Sequence, residues 1–446
     1  MLSDSTPDAC APSRLARRLG MFDAVAIGLG SMIGAGVFAA FGPAARAAGN
    51  GLLLGLAIAA IVAYCNATSS AQLAAVYPES GGTYAYGQKR LGPFWGFLAG
   101  WGFVIGKLAS CAAMAMTFGS YASPSLARPL AIGAVFALTA VNYLGVKKTA
   151  VLTKTIVAAV LLALAVVVGA VWFGGSTDVR RLWPLRGASP YGVLQSAGLL
   201  FFAFAGYARL ATLGEEVIEP RRTIPRAITV ALGITLVVYA AVAVSLLAAI
   251  EASEIDLSGA PLATAVESGR HASLSPVVRI GATIASLGVL LSLIVGVSRT
   301  AFAMSANRDL PEFLAAVHPR FRVPHRAELT VGLLVAGIAA MADIRSAIGF
   351  SSFAVLTYYA ITNAAAWTLG PEERRWPRTI AGVGILGCLT LAFTLPLASV
   401  LGGGLVLALG AAVHLLSRRA RAQKGEPRTT RTVRDHQPHG EHDVAG

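Results

Sequence analysis

Charge is scarce in this chain, and the residues that build metal or disulfide sites are scarcer. Asp, Glu, Lys and Arg make up 13% of the 446 residues, about half the share of a soluble globular protein. The four cysteines, Cys10, Cys65, Cys111 and Cys388, are scattered, and no CxxC, HExxH or Asp-rich motif accompanies them. No metal and no cofactor is therefore expected. No cluster of His, Asp or Glu lies inside an apolar run, which disfavours a membrane enzyme. Period-two alternation over strand-length stretches is missing too, excluding an outer-membrane barrel. The first twenty residues are polar and basic without an apolar core, so no cleaved signal is expected.

What the chain has instead is apolar length. Its composition is 55% hydrophobic and its mean hydropathy is +0.66. Apolar runs fall near 21–46, 52–76, 93–121, 128–144, 150–173, 191–213, 226–250, 276–303, 327–342, 344–369, 379–395 and 399–416. Each is about long enough to cross a ~30 Å hydrocarbon core as a helix. The expected fold is an all-α polytopic membrane protein of twelve transmembrane helices, with the lipid bilayer as its surroundings.

The formal net charge of +14 is topology rather than a nucleic-acid footprint. With the N-terminus placed in the cytoplasm, 24 of the 36 Lys and Arg fall in cytoplasmic segments, eight in outer loops and four inside spans. That bias over short loops fixes the orientation by the positive-inside rule. Both termini are then cytoplasmic, in the plasma membrane. The segment after Ser417 is polar, contains Pro and Gly, and is expected to be disordered.

Helix one, MFDAVAIGLGSMIGAGVFAAFGPAAR, carries Gly28, Gly30, Gly34 and Gly36 near its middle, where each weakens a helix by about 1 kcal/mol relative to Ala. Two readings fit. Gly30 and Gly34 are four apart, the spacing of close helix packing. Alternatively the helix unwinds over Ser31–Gly36 and offers free N–H groups to an anion at the bilayer midplane. A dinucleotide loop fails on spacing and on the missing strand. Helix six, FFAFAGYARLATLGEEVIEP, sets Phe201, Phe202, Phe204 and Tyr207 around Gly206. The plain reading is an aromatic packing surface. A break there would free the carbonyls of Phe202, Ala203 and Ala205 to accept from an ammonium. Helix one holding a carboxylate and helix six an ammonium describes the backbone end of an amino acid. Equivalent breaks in helices one and six are the mark of a five-plus-five inverted repeat.

Four stretches carry a specific resemblance: GSMIGAGVF, YPESGGTYAYGQKRLGPFWGFLAGW (77–101), FFAFAGYA followed by GEEV, and SRTAFAMSANRDLP (298–311). In this order they resemble the amino acid–polyamine–organocation permeases over about residues 20–370. The resemblance implies secondary transport of amino acids or related amines, and twelve helices of which the first ten form the repeat. The divisions are then a cytoplasmic segment 1–20, a first repeat 21–174, a second repeat 191–369, helices eleven and twelve at 379–416, and the tail 417–446. By position, Gly34, Ala35 and Gly36 match the family's carboxylate-binding amides, and Ser31 and Met32 the stretch just before them. Phe202 matches the aromatic that covers the substrate, Ala203 and Ala205 match carbonyl contributors, and Phe204 lies between them.

Ionisable residues inside a membrane are costly, so each is a functional candidate. Lys107 sits mid-way along helix three, too deep to snorkel comfortably; it is read as a proton-exchanging amine or as half of a structural pair with a buried carbonyl or a carboxylate such as Asp23. Arg209, past the helix-six glycine, pairs or gates and does not carry a proton; Asp23, Glu79 and Glu215 are its candidate partners in an inner gate that includes Glu216. Lys154 is expected to snorkel, and Arg299 to be structural. Two positions depart from the family pattern: Ala208 stands where many relatives have an acidic residue, and Val160 where proton-coupled ones have a lysine. Hydroxyls at Ser298 and Thr300 flank Arg299, whose charge opposes a sodium ion. The expected activity is alternating-access transport, proton-coupled or by exchange, of a small-molecule amino acid, neutral because no carboxylate lines the site. A cationic amino acid or polyamine antiporter is the alternative, and a channel or sensor the alternative of another class. No oligomeric state is indicated.

Overall fold

The computed structural model of the chain describes residues 19–34, 36–77, 82–145, 150–175, 177–182, 188–211 and 216–423. These are helical almost throughout, and their one β-type pairing is an isolated parallel bridge between Leu19 and Val217. In chain order the helices are α1 (Met21–Met32), α2 (Gly36–Ala39), α3 (Phe41–Ala48), α4 (Leu52–Val76), α5 (Gly82–Leu91), α6 (Pro93–Ala122), α7 (Ala127–Tyr143) and α8 (Ala150–Phe173). They continue as α9 (Pro190–Phe204), α10 (Ala208–Ala211), α11 (Pro220–Ala249), α12 (Ala252–Leu257), α13 (Pro261–Glu267), α14 (Ser275–Ala306), α15 (His325–Met341), α16 (Ile344–Trp367), α17 (Arg378–Thr394) and α18 (Leu397–Gln423). Among the described residues nine helical stretches are long and apolar enough to cross a membrane.

Every apolar run of the sequence overlies helix, and local chemistry sets several of the ends. Ser189 accepts from the Gly192 amide at 3.0 Å ahead of Pro190, and Asp343 accepts from the Ser346 amide at 2.7 Å; both cap orphan N–H groups. Gly92, at φ 101°, turns the chain into Pro93 at the head of α6, a backbone conformation that side chains resist. The short helices α5, α12 and α13 lie between the apolar runs and were not legible as spans. At the far end α18 runs on to Gln423, into the segment expected to be disordered. Arg, Ala and Gln are good helix formers, and cations suit a helix C-terminus.

Small residues let the helices approach. Between α6 and α16, a Cβ on Gly106 would lie 2.9 Å from the Ala354 methyl, and the hydroxyls of Ser110 and Ser351 hydrogen-bond at 2.7 Å. Close van der Waals contact and interhelical hydrogen bonds are the forces available in lipid. The outward face is aliphatic: Leu162, Val237, Leu333, Leu386 and Leu405 are all exposed, as hydrocarbon contact permits. Two of the motif stretches meet at the N-terminal end of the bundle. The Tyr84 hydroxyl donates to Asp309 at 2.7 Å and accepts from Asn307 at 3.0 Å. Burial, and then the Asp309 charge, raise the Tyr84 phenol above its ordinary range. Alongside, Arg90 pairs with Glu373; that hydrogen bond, with one from the Gly370 amide, holds the Glu373 carboxyl below its usual range.

Candidate functional site

Helix one is broken, over a shorter stretch than Ser31–Gly36. The last α1 turn closes when the Ile33 amide donates to Leu29 at 2.7 Å, and helix resumes at Gly36. Ser31 and Met32 are therefore the final residues of the first half, and the Ser31 hydroxyl donates back to Ile27 at 2.8 Å. The glycines serve packing as well as the break. A Cβ on Gly30 would meet Val157 of α8 at 2.9 Å, and one on Gly34 would meet Val289 of α14 at 2.1 Å.

Helix six departs from the expected break in one respect. The Ala205 amide donates to the Phe202 carbonyl, so a tight turn over Ala205–Tyr207 joins α9 to α10. The Phe202 carbonyl accepts a hydrogen bond within that turn. The next two expected acceptors are turned toward hydroxyls. Ala203 accepts from Tyr239 at 3.0 Å, and Ala205 from Tyr359 at 3.4 Å. Phe202 is partly buried. Phe204 is fully buried with its ring against Tyr239, centroids 5.1 Å apart.

The two breaks lie against each other reciprocally. A Cβ on Gly36 would fall 2.7 Å from the Ala203 Cα, and one on Gly206 would fall 2.1 Å from the Ser31 carbonyl oxygen. Glycine at the heart of each break is what lets the other backbone approach. Tyr239 of α11 spans the junction. Its hydroxyl lies 2.5 Å from the Met32 carbonyl and 3.0 Å from that of Ala203. A hydroxyl carries one proton, so it cannot fully satisfy both oxygens. Tyr239 did not stand out in the sequence; its signal was there, as the one tyrosine in an otherwise aliphatic run.

The ends of the bundle differ. At the N-terminal end, Leu19 donates to the Glu216 carbonyl at 3.1 Å and accepts from Ile218 at 2.9 Å, stitching the segment before α1 to the segment before α11. The opposite end opens into a cavity of 720 Å³, with Phe38 and Met116 among its apolar walls and Arg46, Arg128, Asp343 and Arg345 among its polar ones. Phe38 lies two residues beyond Gly36.

The charged candidates separate. Asp23 pairs with Lys154 at 2.6 Å, not with Lys107 or Arg209, and the expectation of a merely snorkelling Lys154 gives way to a tie between α1 and α8. Lys107 is buried, 7% exposed, and among the described residues it has no ion pair. Arg209 is exposed. The Ser298 and Thr300 hydroxyls donate to carbonyls of their own helix, Val295 and Gly296. Ala35, Glu79 and Glu215 fall outside the described residues. Among those described, no group of three or more His, Cys, Asp or Glu could hold a metal.

Comparison with known proteins bears directly on this arrangement. A family model described as amino acid permease matches residues 19–410, from the Leu19 bridge to the middle of α18. An uncharacterized transporter of Mycobacterium tuberculosis is 61% identical over 414 residues, covering 92% of this chain and 94% of that protein. A branched-chain amino acid permease of Bacillus subtilis is 25% identical, covering 90% and 93%. Human cationic amino acid transporter 4 is 29% identical, covering 80% of this chain and 60% of that protein. The chain thus belongs to the amino acid permease family of the amino acid–polyamine–organocation superfamily, and it is a multi-pass membrane transporter, not an enzyme.

Proposed function

We propose that the chain is a secondary transporter that moves neutral amino acids across the plasma membrane by alternating access. The observation that carries this reading is the reciprocal contact of two glycine-centred breaks, Gly36 on Ala203 and Gly206 on Ser31. In this reading twelve helices cross the bilayer, with 21–174 and 191–369 as the inverted repeats, 379–416 as the added pair, and 1–20 and 417–446 in the cytoplasm. The Leu19–Val217 bridge is then a closed inner side, and the 720 Å³ cavity is an open outer one.

The substrate's carboxylate meets the amides of Gly34, Ala35 and Gly36, where the outer half-helix begins. Its ammonium meets the carbonyls of Met32, Ala203 and Ala205, with Ser31 beside them. An ammonium brings three donors, supplying the proton that Tyr239 lacks for its second carbonyl. Phe202 covers the substrate, and Phe204 braces Tyr239 from behind. Asp23, Glu79, Arg209, Glu215 and Glu216 form the inner gate, whose opening requires the Leu19 bridge and the Asp23–Lys154 pair to part. No metal or cofactor takes part, and transport is coupled to protons or works by exchange.

A neutral substrate fits a site whose proposed side chains are Ala and Phe, with no carboxylate for a cationic side chain among its described residues. The branched-chain name of the B. subtilis relative agrees with it. The name of the human relative supports the second reading, a cationic amino acid or polyamine antiporter. The test is thermal stabilisation of purified protein against standard amino acids and polyamines at two pH values. A ligand at a hundredfold excess over its Kd stabilises by about 2.7 kcal/mol. Stabilisation by leucine, isoleucine or valine is the expected result; stabilisation confined to arginine, lysine or polyamines would replace it with the second reading. Lys107, buried and without an ion pair among the described residues, is the coupling candidate. Lys107→Ala is expected to abolish the pH dependence of uptake while sparing binding, and unchanged pH dependence would clear Lys107 of that role.

A further inference from the structure

The apolar run near 327–342 contains one carboxylate, Glu328, and α15 turns it into the bundle. Glu328 is 3% exposed. Among the described residues it joins no ion pair, and its Oε2 is shut off from solvent without a hydrogen-bond partner. One turn further along the same face of α15, a Cβ on Gly332 would fall 2.6 Å from the Thr139 hydroxyl oxygen, so α15 and α7 close tightly on one side of it. On the other side Tyr143 of α7 lies against His325, ring centroids 6.2 Å apart. Glu328 is therefore level with the last turn of α7. There Asn142 is itself buried, and its amide makes a long contact to the Leu291 carbonyl at 3.5 Å.

An ionised carboxylate without partners is costly in such a place, and the group gives up its charge instead. Its position in the first turn of α15 works the other way, since the head of a helix favours an anion. Burial and helix head oppose each other, which suits a group that changes protonation as its surroundings open. We infer that Glu328 is a proton-binding site of the transport cycle: it holds a proton while the inner end of the bundle is closed and releases it to the cytoplasm when that end opens. The inference rests on the transporter reading, from which it selects proton coupling over simple exchange. The other ionisable groups at this end are placed differently. Arg299 of α14 and Arg326 are exposed, and neither pairs with Glu328 among the described residues; Arg308 pairs with Glu312 at 3.3 Å. The His318 Nδ1 accepts from the Arg320 and Phe321 amides at 3.2 Å each, as a neutral ring with its proton on Nε2 does. Burial, then His318 and Arg326, hold the His325 imidazole below its ordinary range. Lys107, midway along α6, sits at another depth, and coupling is expected to require both it and Glu328.

The proton site can be tested without knowing the substrate, by labelling the full-length protein with dicyclohexylcarbodiimide. A carboxylic acid in an apolar site adds across one C=N bond of the reagent: its oxygen bonds to the central carbon, its proton moves to nitrogen, and the acylurea stays attached. The ionised form lacks that proton. Mass spectrometry is expected to find the adduct on Glu328, in an amount that rises as pH is lowered. A water-soluble carbodiimide should spare Glu328 and label exposed carboxyls such as those of Glu312 and Asp343. No adduct on Glu328 at any pH, or labelling that pH does not change, overturns the inference. This measurement uses the wild type, so it holds even where a variant fails to fold.

A second arm follows labelled L-leucine in proteoliposomes with the membrane potential clamped. A difference of one pH unit supports about tenfold accumulation of a substrate that enters with one proton. The wild type is expected to accumulate leucine when the outside is acidic. Glu328→Gln, which mimics the protonated acid, is expected to lose that accumulation while still exchanging leucine for leucine. His325→Gln should keep the accumulation, which separates the carboxyl from the imidazole one turn away. Accumulation by folded Glu328→Gln equal to that of the wild type, or loss of exchange together with accumulation, overturns the inference, as does leucine uptake by the wild type that a proton gradient does not drive. No leucine transport by the wild type, with pH-dependent labelling of Glu328 intact, would count against the neutral amino acid reading alone.

Discussion

Gly206→Ala is expected to abolish transport and to lower the apparent Tm of the purified protein. The added methyl would lie 2.1 Å from the Ser31 carbonyl oxygen, 2.3 Å from its carbon and 2.7 Å from the Met32 nitrogen. All three are backbone atoms of the last turn of α1, beside the break, so no rotamer change relieves the overlap, and one element must move away from the other. Overpacking of this kind costs about 1–3 kcal/mol. It also parts the two backbones that would grip the substrate's charged ends. The matched control is Gly233→Ala or Gly296→Ala in α11 and α14, where nothing lies within 4 Å of the added carbon. There the helix propensity of alanine favours the variant by up to about 1 kcal/mol. The contrast between sites is the test. If Gly206→Ala transports like the wild type while remaining folded, contact between the breaks is not what the site depends on.

How far the sequence foretold this arrangement depends on the range of the forces involved. Apolar length and local caps act within one segment, so α4 and α6 were legible almost to the residue: runs near 52–76 and 93–121 became Leu52–Val76 and Pro93–Ala122. The glycines located both breaks, because a glycine-rich mid-helix is weak wherever it occurs. Their extent was not legible. Ser31 and Met32 stay helical because the turn from Leu29 to Ile33 closes, and the Ala205 amide donates to the Phe202 carbonyl. Those outcomes depend on what packs around each break. The partner of Asp23 was misplaced for the same reason. Lys107 and Arg209 were considered, yet the carboxylate meets Lys154, a pairing fixed by how α1 lies beside α8. Burial of Lys107 followed from its depth in an apolar run. The cavity lined by Arg46, Arg128 and Arg345 had no sequence signature, since those residues come from three separate parts of the chain.

Tyr239→Phe is expected to separate what the hydroxyl does for the protein from what it does for the substrate. The ring should stay in place: it packs edge-on against Phe204 and Phe41, with centroids 5.1 Å and 6.5 Å away, and those contacts do not involve oxygen. What disappears is the hydroxyl donor facing the Met32 and Ala203 carbonyls. Leaving a buried acceptor unsatisfied costs about 1–3 kcal/mol, so the empty protein should melt at a lower temperature. Bound substrate should recover part of that loss, because its ammonium has donors to spare for both oxygens. The thermal shift produced by a stabilising amino acid is therefore expected to be larger in Tyr239→Phe than in the wild type. Turnover should move the other way. The hydroxyl ties α1 to helix six, and without it the empty breaks are held apart by two unpaired carbonyl dipoles, while the loaded ones are held more tightly by the substrate. A lower uptake rate follows, by about tenfold for each 1.4 kcal/mol by which release is disfavoured. Two measurements decide it, thermal shift with and without the amino acid and uptake into proteoliposomes. Equal melting losses in the empty and loaded protein, with uptake unchanged, would reduce Tyr239 to a packing residue and remove the ammonium from the Met32–Ala203 junction.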